Sequence, residues 1–286
     1  MNKYLFRKEK VLELFDKIEK KLIEIKKNLE KGFKPDKDEW DTVIEFDKFI
    51  SLIKSIKEKE YLPVFSKEKI VDGIGKICLV SQGNPYLNFN FILSCLYTNN
   101  KVKVVLTDKL LASNKVVIEC IKKVIEEEKL DDDTVDYIEL ISKDKIIPLQ
   151  DEFDLLYYFG NKEEYLNFTK RLHIDSKFEN FGEMYIYVDS KDFKEYLMDI
   201  DKFCFINEIK VKYFNEDLDD VSKDINYRNN INKISVIFTK DINKAYEFIK
   251  KIKTENVYIN INPCEYIKLE TNLNNLVYSK NIIIKN

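Results

Sequence analysis

The side chains able to do chemistry in this sequence are few, and their spacing is telling. A single histidine, His173, occurs in 286 residues. That excludes His-rich metal sites and leaves little room for a His-based catalytic triad. The run Asp131-Asp132-Asp133 falls between a helical and a strand pattern, and reads as a loop rather than a metal site. A turn containing Gly83, Asn84 and Pro85 follows an apolar strand and precedes a helix. A helix N-terminus in that setting can receive a phosphate. The dinucleotide fingerprint GxGxxG is absent, as is a P-loop. Gly73 and Gly75 precede the strand, so they cannot form that turn. Only six glycines are present, and glycine is what lets a backbone approach a phosphate closely.

These residues are positioned by a strand–helix–strand–helix–strand unit from Lys76 to Lys145. Ile77–Ser81 is almost continuously apolar, as a strand buried on both faces should be. Leu87–Tyr97 predicts a buried helix and Val102–Leu106 a strand. A helix over 113–128 turns Val116, Val117, Cys120, Ile121, Val124 and Ile125 inward, and Val135–Ile141 closes the unit. Parallel pairing with right-handed crossovers is the default for this order. Further strands are predicted at Asp154–Phe159, Met184–Val188, Ile209–Phe214, Ile234–Phe238, Val257–Ile261 and Ile282–Ile284. Helices are predicted at 162–171, 192–200 and 242–252. Residues 62–75 read as a connector and the Asp- and Asn-rich residues 215–232 as a loop.

Before this unit, Val11, Leu14, Phe15, Ile18, Leu22, Ile25 and Leu29 recur at three- and four-residue spacing, which predicts a helix over 7–31. Trp40, Val43, Phe46, Ile50, Ile53 and Ile56 predict a second over 36–59. Together they make a helical hairpin, which either packs on the main domain or offers a docking surface.

Composition narrows the class. The chain is 44% hydrophobic and 35% charged, with a net charge of −3. It can build a sizeable core and has no global basic field to attract nucleic acid. No apolar run approaches the ~20 residues that cross a bilayer, and the N-terminus has no signal-peptide pattern. The five cysteines (Cys78, Cys95, Cys120, Cys204, Cys264) show no CxxC spacing. They read as reduced, buried thiols, and the protein as cytoplasmic.

Several ordered segments resemble the aldehyde dehydrogenase superfamily, and within it gamma-glutamyl phosphate reductase. They are the stretch 104–135 between the second and third strands, Asp154–Gly160, and Gly182-Glu183-Met184-Tyr185-Ile186-Tyr187-Val188-Asp189. Cys204-Phe205-Ile206-Asn207-Glu208, Val257-Tyr258-Ile259-Asn260 and Leu276–Lys280 follow in the family's order. The resemblance covers about residues 75–286. It implies a doubly wound, mainly parallel α/β cofactor domain and a second domain carrying a nucleophilic cysteine. With the helical hairpin read from periodicity before it, and the short segment after Cys204, the expected fold is this sheet with an N-terminal helical hairpin and a reduced second domain. It implies an NADP or NAD cofactor held near Gly83, Asn84, Pro85, Thr107, Lys109 and Gly160. It also implies a thiolate at Cys204 that attacks an aldehyde or acyl substrate, and strand-mediated contacts between subunits.

Departures accompany the likeness. Thr107 and Asp108 stand where the family carries a basic residue for the cofactor, and an acid beside a phosphate is electrostatically wrong. The glycine pair after the fourth strand is reduced to Gly160, followed by Asn161 and Lys162. Only about thirty residues separate Cys204 from the strand at 234. The expected domains are 1–62 (hairpin), 63–200 (cofactor type) and 201–286 (catalytic remnant). Two functions follow. One is a catalytically impaired member that acts as a binding or partner subunit, as a homo-oligomer or with another protein. The other is a minimal NAD(P)-dependent oxidoreductase. In the first, Cys204 is a small buried hydrophobe flanked by Phe203 and Phe205.

Overall fold

The computed structural model describes residues 8–30, 46–59, 64–65, 69–81, 84–106, 111–139, 143–160, 162–179, 183–189, 193–207, 209–227, 233–254, 256–263 and 273–281. The chain divides into two compact units, residues 1–179 with 269–286, and residues 180–268.

The first unit opens with two helices, α1 (Lys8–Glu30) and α2 (Phe46–Lys57). The periodic residues Val11, Leu14, Phe15, Ile18 and Leu22 of α1 are buried, as are Phe46, Phe49, Ile53 and Ile56 of α2. They meet α3 (Pro85–Tyr97). Phe15 stacks on Tyr97 with ring centroids 6.3 Å apart, and Phe49 packs on Tyr86 and Phe89 at 4.7 and 4.9 Å. The apolar stripes of both helices are therefore part of this unit's core, which favours packing over docking. Trp40 and Val43 lie outside the described residues.

Two short strands, β1 (Val64–Phe65) and β2 (Lys69–Gly73), run through the segment expected to be a connector. The main sheet follows. It comprises β3 (Lys76–Val80), β4 (Lys101–Leu106), β5 (Val135–Glu139), β6 (Leu155–Phe159) and β7 (Ser176–Glu179). All neighbours are parallel, in the order β5-β4-β3-β6-β7, with Ile77 opposite both Val102 and Leu155. The central strands are apolar on both faces because both faces are covered. On one face Phe91 of α3 packs on Tyr157 at 4.7 Å. On the other, Ile146, Phe153 and Phe168 close over Cys78, Val80, Val105, Leu156 and Tyr158. α4 (Leu111–Glu127) and α5 (Lys162–Thr169) complete the layers.

β7, short and half-buried, has no counterpart among the expected strands. A late strand, β12 (Val277–Asn281), returns from the C-terminal region to pair antiparallel with β2. Residues 282–286, where a last strand was expected, lie outside the described residues.

The second unit is a smaller sheet of the same kind. It runs β8 (Glu183–Val188), α6 (Lys194–Asn207), β9 (Lys210–Phe214), α7 (Leu218–Tyr227), β10 (Lys233–Phe238), α8 (Ile242–Lys251) and β11 (Asn256–Ile259). All pairs are parallel, in the order β11-β10-β8-β9. Met184, Ile186, Val236 and Phe238 face α6, while Tyr185, Tyr187 and Ile237 face α7 and α8. Helices on both faces make this sheet doubly wound as well.

Three expectations change here. The unit boundary falls at residue 180 rather than 200, because β8 pairs with β9 and β10. The C-terminal residues return to the first unit through β12. Residues 218–227, expected in a loop, form α7, whose Leu218, Val221 and Ile225 are buried at helical spacing despite the acids between them.

Candidate functional site

In a sheet ordered β5-β4-β3-β6-β7, successive crossovers diverge between β3 and β6. Ligands of open α/β sheets bind at the carboxyl ends of the strands beside such a reversal. Two helices begin there, α3 after β3 and α5 after β6. The N-terminus of α3 is capped by Asn84, whose Oδ1 accepts from Tyr86 N at 2.9 Å and Leu87 N at 3.2 Å. Asn88 N donates to Asn84 O at 3.0 Å. Pro85 at the first helical position has no N–H to offer. The amides of the first turn are thus engaged by the chain's own cap.

Behind this cap lies a buried, uncharged network. Ser81 Oγ donates to Asn88 Oδ1 at 2.5 Å, and Asn88 Nδ2 donates to Asn114 Oδ1 at 2.7 Å, joining the end of β3 to α3 and α4. Ser113 Oγ is buried beside Asn114 without a hydrogen-bond partner among the described residues. A neutral hydroxyl there offers no charge to a phosphate.

Gly160 ends β6 with φ +149°, a conformation that suits glycine, and its N–H donates to Glu179 O at 3.1 Å. The first turn of α5 carries Glu163 and Glu164, set against one cation, Lys162. Glu164 Oε2 accepts from Tyr158 OH at 2.9 Å. Acids at a helix N-terminus suit the helix dipole and repel an approaching phosphate. Among the described residues, neither helix terminus offers both free amides and a net positive charge to a dinucleotide pyrophosphate. Asn84, Pro85 and Gly160 do stand at the carboxyl end of this sheet; Gly83, Thr107 and Lys109 lie outside the described residues.

Cys204 lies in the interior of α6, where a non-helical peptide was expected. It is 2% exposed and packs with Met184, Ile186, Ile200, Ile209, Ile234, Val236 and Phe238. Its Sγ is 3.9 Å from Met184 Sδ. A working nucleophile needs access and neighbours that stabilise a thiolate, whereas this cluster is made of apolar side chains. Cys78, Cys95 and Cys120 are also buried. Burial pushes the Cys78 and Cys120 thiols up to about 12 and raises that of Cys95 too.

The described residues of the second unit include a connected polar group that was not among the site residues expected from the sequence. It lies at the carboxyl ends of β8, β10 and β11, where that sheet reverses. Thr239 Oγ1 donates to Asp189 Oδ2 at 2.8 Å, and Lys244 Nζ donates to Asp189 Oδ1 at 2.7 Å. Asn260 bridges the neighbouring strand ends, accepting from Thr239 N at 2.9 Å and donating to Thr239 O at 2.8 Å. Hydrogen bonds from Lys244 and then Thr239 hold the Asp189 carboxyl below the ordinary carboxylate range. The bonds of Lys244 to Asp189 and then Tyr187 raise its ammonium. Each group is fixed in its charged form near neutral pH, so neither is poised for proton transfer. The signal available in the sequence was positional, since all three strand-end residues are polar and directly follow apolar strands.

His173 Nε2 lies 2.6 Å from Asp151 Oδ1 with both side chains exposed. Among the described residues, no group of three or more His, Cys, Asp or Glu side chains could hold a metal, and no helix is long and apolar enough to cross a membrane.

No protein-family model matches the sequence, and a search of curated proteins returned no match. Solved structures do match. Gamma-glutamyl phosphate reductase from Thermotoga maritima superposes with a TM-score of 0.59 at 13% identity, over 99% of this chain and 95% of that one. Glyceraldehyde-3-phosphate dehydrogenase GapN from Methanocaldococcus jannaschii, complexed with NADP, gives 0.63 at 11%, over 98% and 90%. Aldehyde dehydrogenase 21 from Physcomitrella patens, in complex with the reaction product succinate, gives 0.60 at 12%, over 96% and 86%. The fold is that of the aldehyde dehydrogenases.

Proposed function

We propose that this chain, built on the aldehyde dehydrogenase fold, is a binding or partner subunit that has lost thiol-dependent hydride transfer. The observation that carries this reading is the placement of Cys204, buried in α6 among apolar side chains. An aldehyde or acyl group has no route to a sulfur so enclosed, and the cluster that holds it is built of apolar side chains. The engaged α3 amides and the acidic first turn of α5 support the same reading for the cofactor.

A contact with another chain has an available edge. Among the described residues β12 is the terminal strand of the antiparallel sheet β1-β2-β12, and Tyr278 on it is half-exposed. An edge strand of this kind is a template for pairing with a further strand. The buried stripes of α1 and α2 leave the helices a packing role instead.

Fluorescence titration with NADPH and NADH tests the proposal. The expected result is no saturable change up to about 1 mM dinucleotide, a level at which binding would be worth about −4 kcal/mol. Saturable binding well below that concentration, with turnover of an aldehyde, would establish the minimal oxidoreductase instead.

A further inference from the structure

We propose that a cavity at the amino ends of β3, β4 and β5 binds a small zwitterion of amino-acid type. The cavity lies wholly within the first unit, at the end of the sheet opposite the α3 cap. Its volume is about 900 Å3, within the range of sites for small organic molecules. This inference is independent of the proposed function.

The most enclosed charge in the cavity is Asp72 on β2, only 8% exposed. Its Oδ1 accepts from Gly73 N at 2.8 Å and Asn99 Nδ2 at 3.0 Å. Among the described residues no cation lies within ion-pairing distance of this carboxylate. An enclosed carboxylate without a countercharge is costly, and a ligand ammonium would supply one. The wall beside it is tied by hydrogen bonds. Buried Asn100 accepts from Gly75 N and donates to Leu276 O, each at 2.8 Å. Gly75, at φ +133°, has no space for a side chain against Asp154.

The cavity also carries cations. Lys10, Lys76 and Lys129 line it, and none makes an ion pair among the described residues. Lys101 is already held by Asp131 at 3.2 Å and Asp133 at 2.6 Å. A simple anion entering here meets Asp72, Glu152 and Asp154, and a simple cation meets three lysines that make no ion pair among the described residues, one of them, Lys76, lying over the Phe153 ring at 5.7 Å. A molecule with an ammonium for Asp72 and a carboxylate for the lysines satisfies both sets.

Isothermal titration calorimetry of the full chain tests this. The probes are α-amino acids and linear ω-amino acids from glycine to 6-aminohexanoate, with the matching alkylamines and alkyl carboxylates. At least one amino acid should bind about tenfold or more tighter than either single-charge analogue, a clear energetic difference. Asp72→Asn should remove that advantage. If Asp72→Asn fails to fold, Lys76→Gln with Lys129→Gln, the first at a half-buried and the second at an exposed position, should remove it instead. No saturable binding by any amino acid, equal binding of a single-charge analogue, or full affinity in the variants would overturn the proposal.

Discussion

Cys204 Sγ lies 3.9 Å from Met184 Sδ, near the amino end of β8, which places the thiol in the core of the second unit rather than at the carboxyl ends of its strands. Substitutions there should behave as core substitutions. Cys204→Ser buries a hydroxyl among apolar side chains and should cost about 1–3 kcal/mol. Cys204→Ala, which adds no polar atom, should cost less. Urea unfolding of the two variants measures the order, and a serine variant as stable as the wild type would contradict it.

Asn84 is assigned to capping α3 rather than to holding a ligand. Asn84→Ala frees the Tyr86 and Leu87 amides and should cost about 1 kcal/mol, whereas Asn84→Ser keeps a capping oxygen and should lose little. Equal stability of all three proteins in denaturant titration would mean that the cap carries no weight.

The tie between Asp189 and Lys244 makes a pH prediction. The Asp189 carboxyl is more acidic in the folded chain, chiefly through its hydrogen bond from Lys244 and then that from Thr239. Such a group adds stability above its unfolded pKa, near 4, and that stability is lost as pH falls through the lower folded value. The thermal midpoint of the wild type should therefore drop below about pH 4, and Asp189→Asn should show a smaller drop. Identical acid profiles would remove the tie from the account.

Except for β7, the strands of the two parallel sheets were legible in the sequence, the central ones because residues such as Leu79, Leu156 and Ile186 are apolar on both faces. The pairing of β2 with β12 was not legible, since it joins residues about two hundred positions apart and depends on no local pattern. α7 was hidden by its composition. Asp219, Asp220 and Asp224 read as loop, while the stripe Leu218, Val221 and Ile225 beneath them is what the fold uses. At the candidate site, the sequence placed Asn84, Pro85 and Gly160 beside one another at the strand ends. It could not show that Asn84 turns its oxygen onto its own helix. Nor could it show that α6 runs on through Cys204, because Phe203, Cys204 and Phe205 suit a buried helix and a catalytic peptide equally well.

The rate of Cys204 alkylation across pH, followed by mass spectrometry of its own peptide, tests the central claim most directly. Iodoacetamide should leave Cys204 unmodified in the native protein from neutral to mildly alkaline pH and modify it readily once the chain is unfolded. Rapid native modification, with a midpoint well below the ordinary thiol value near 8.5, would show an accessible, activated thiolate and contradict the assignment of Cys204 to the core.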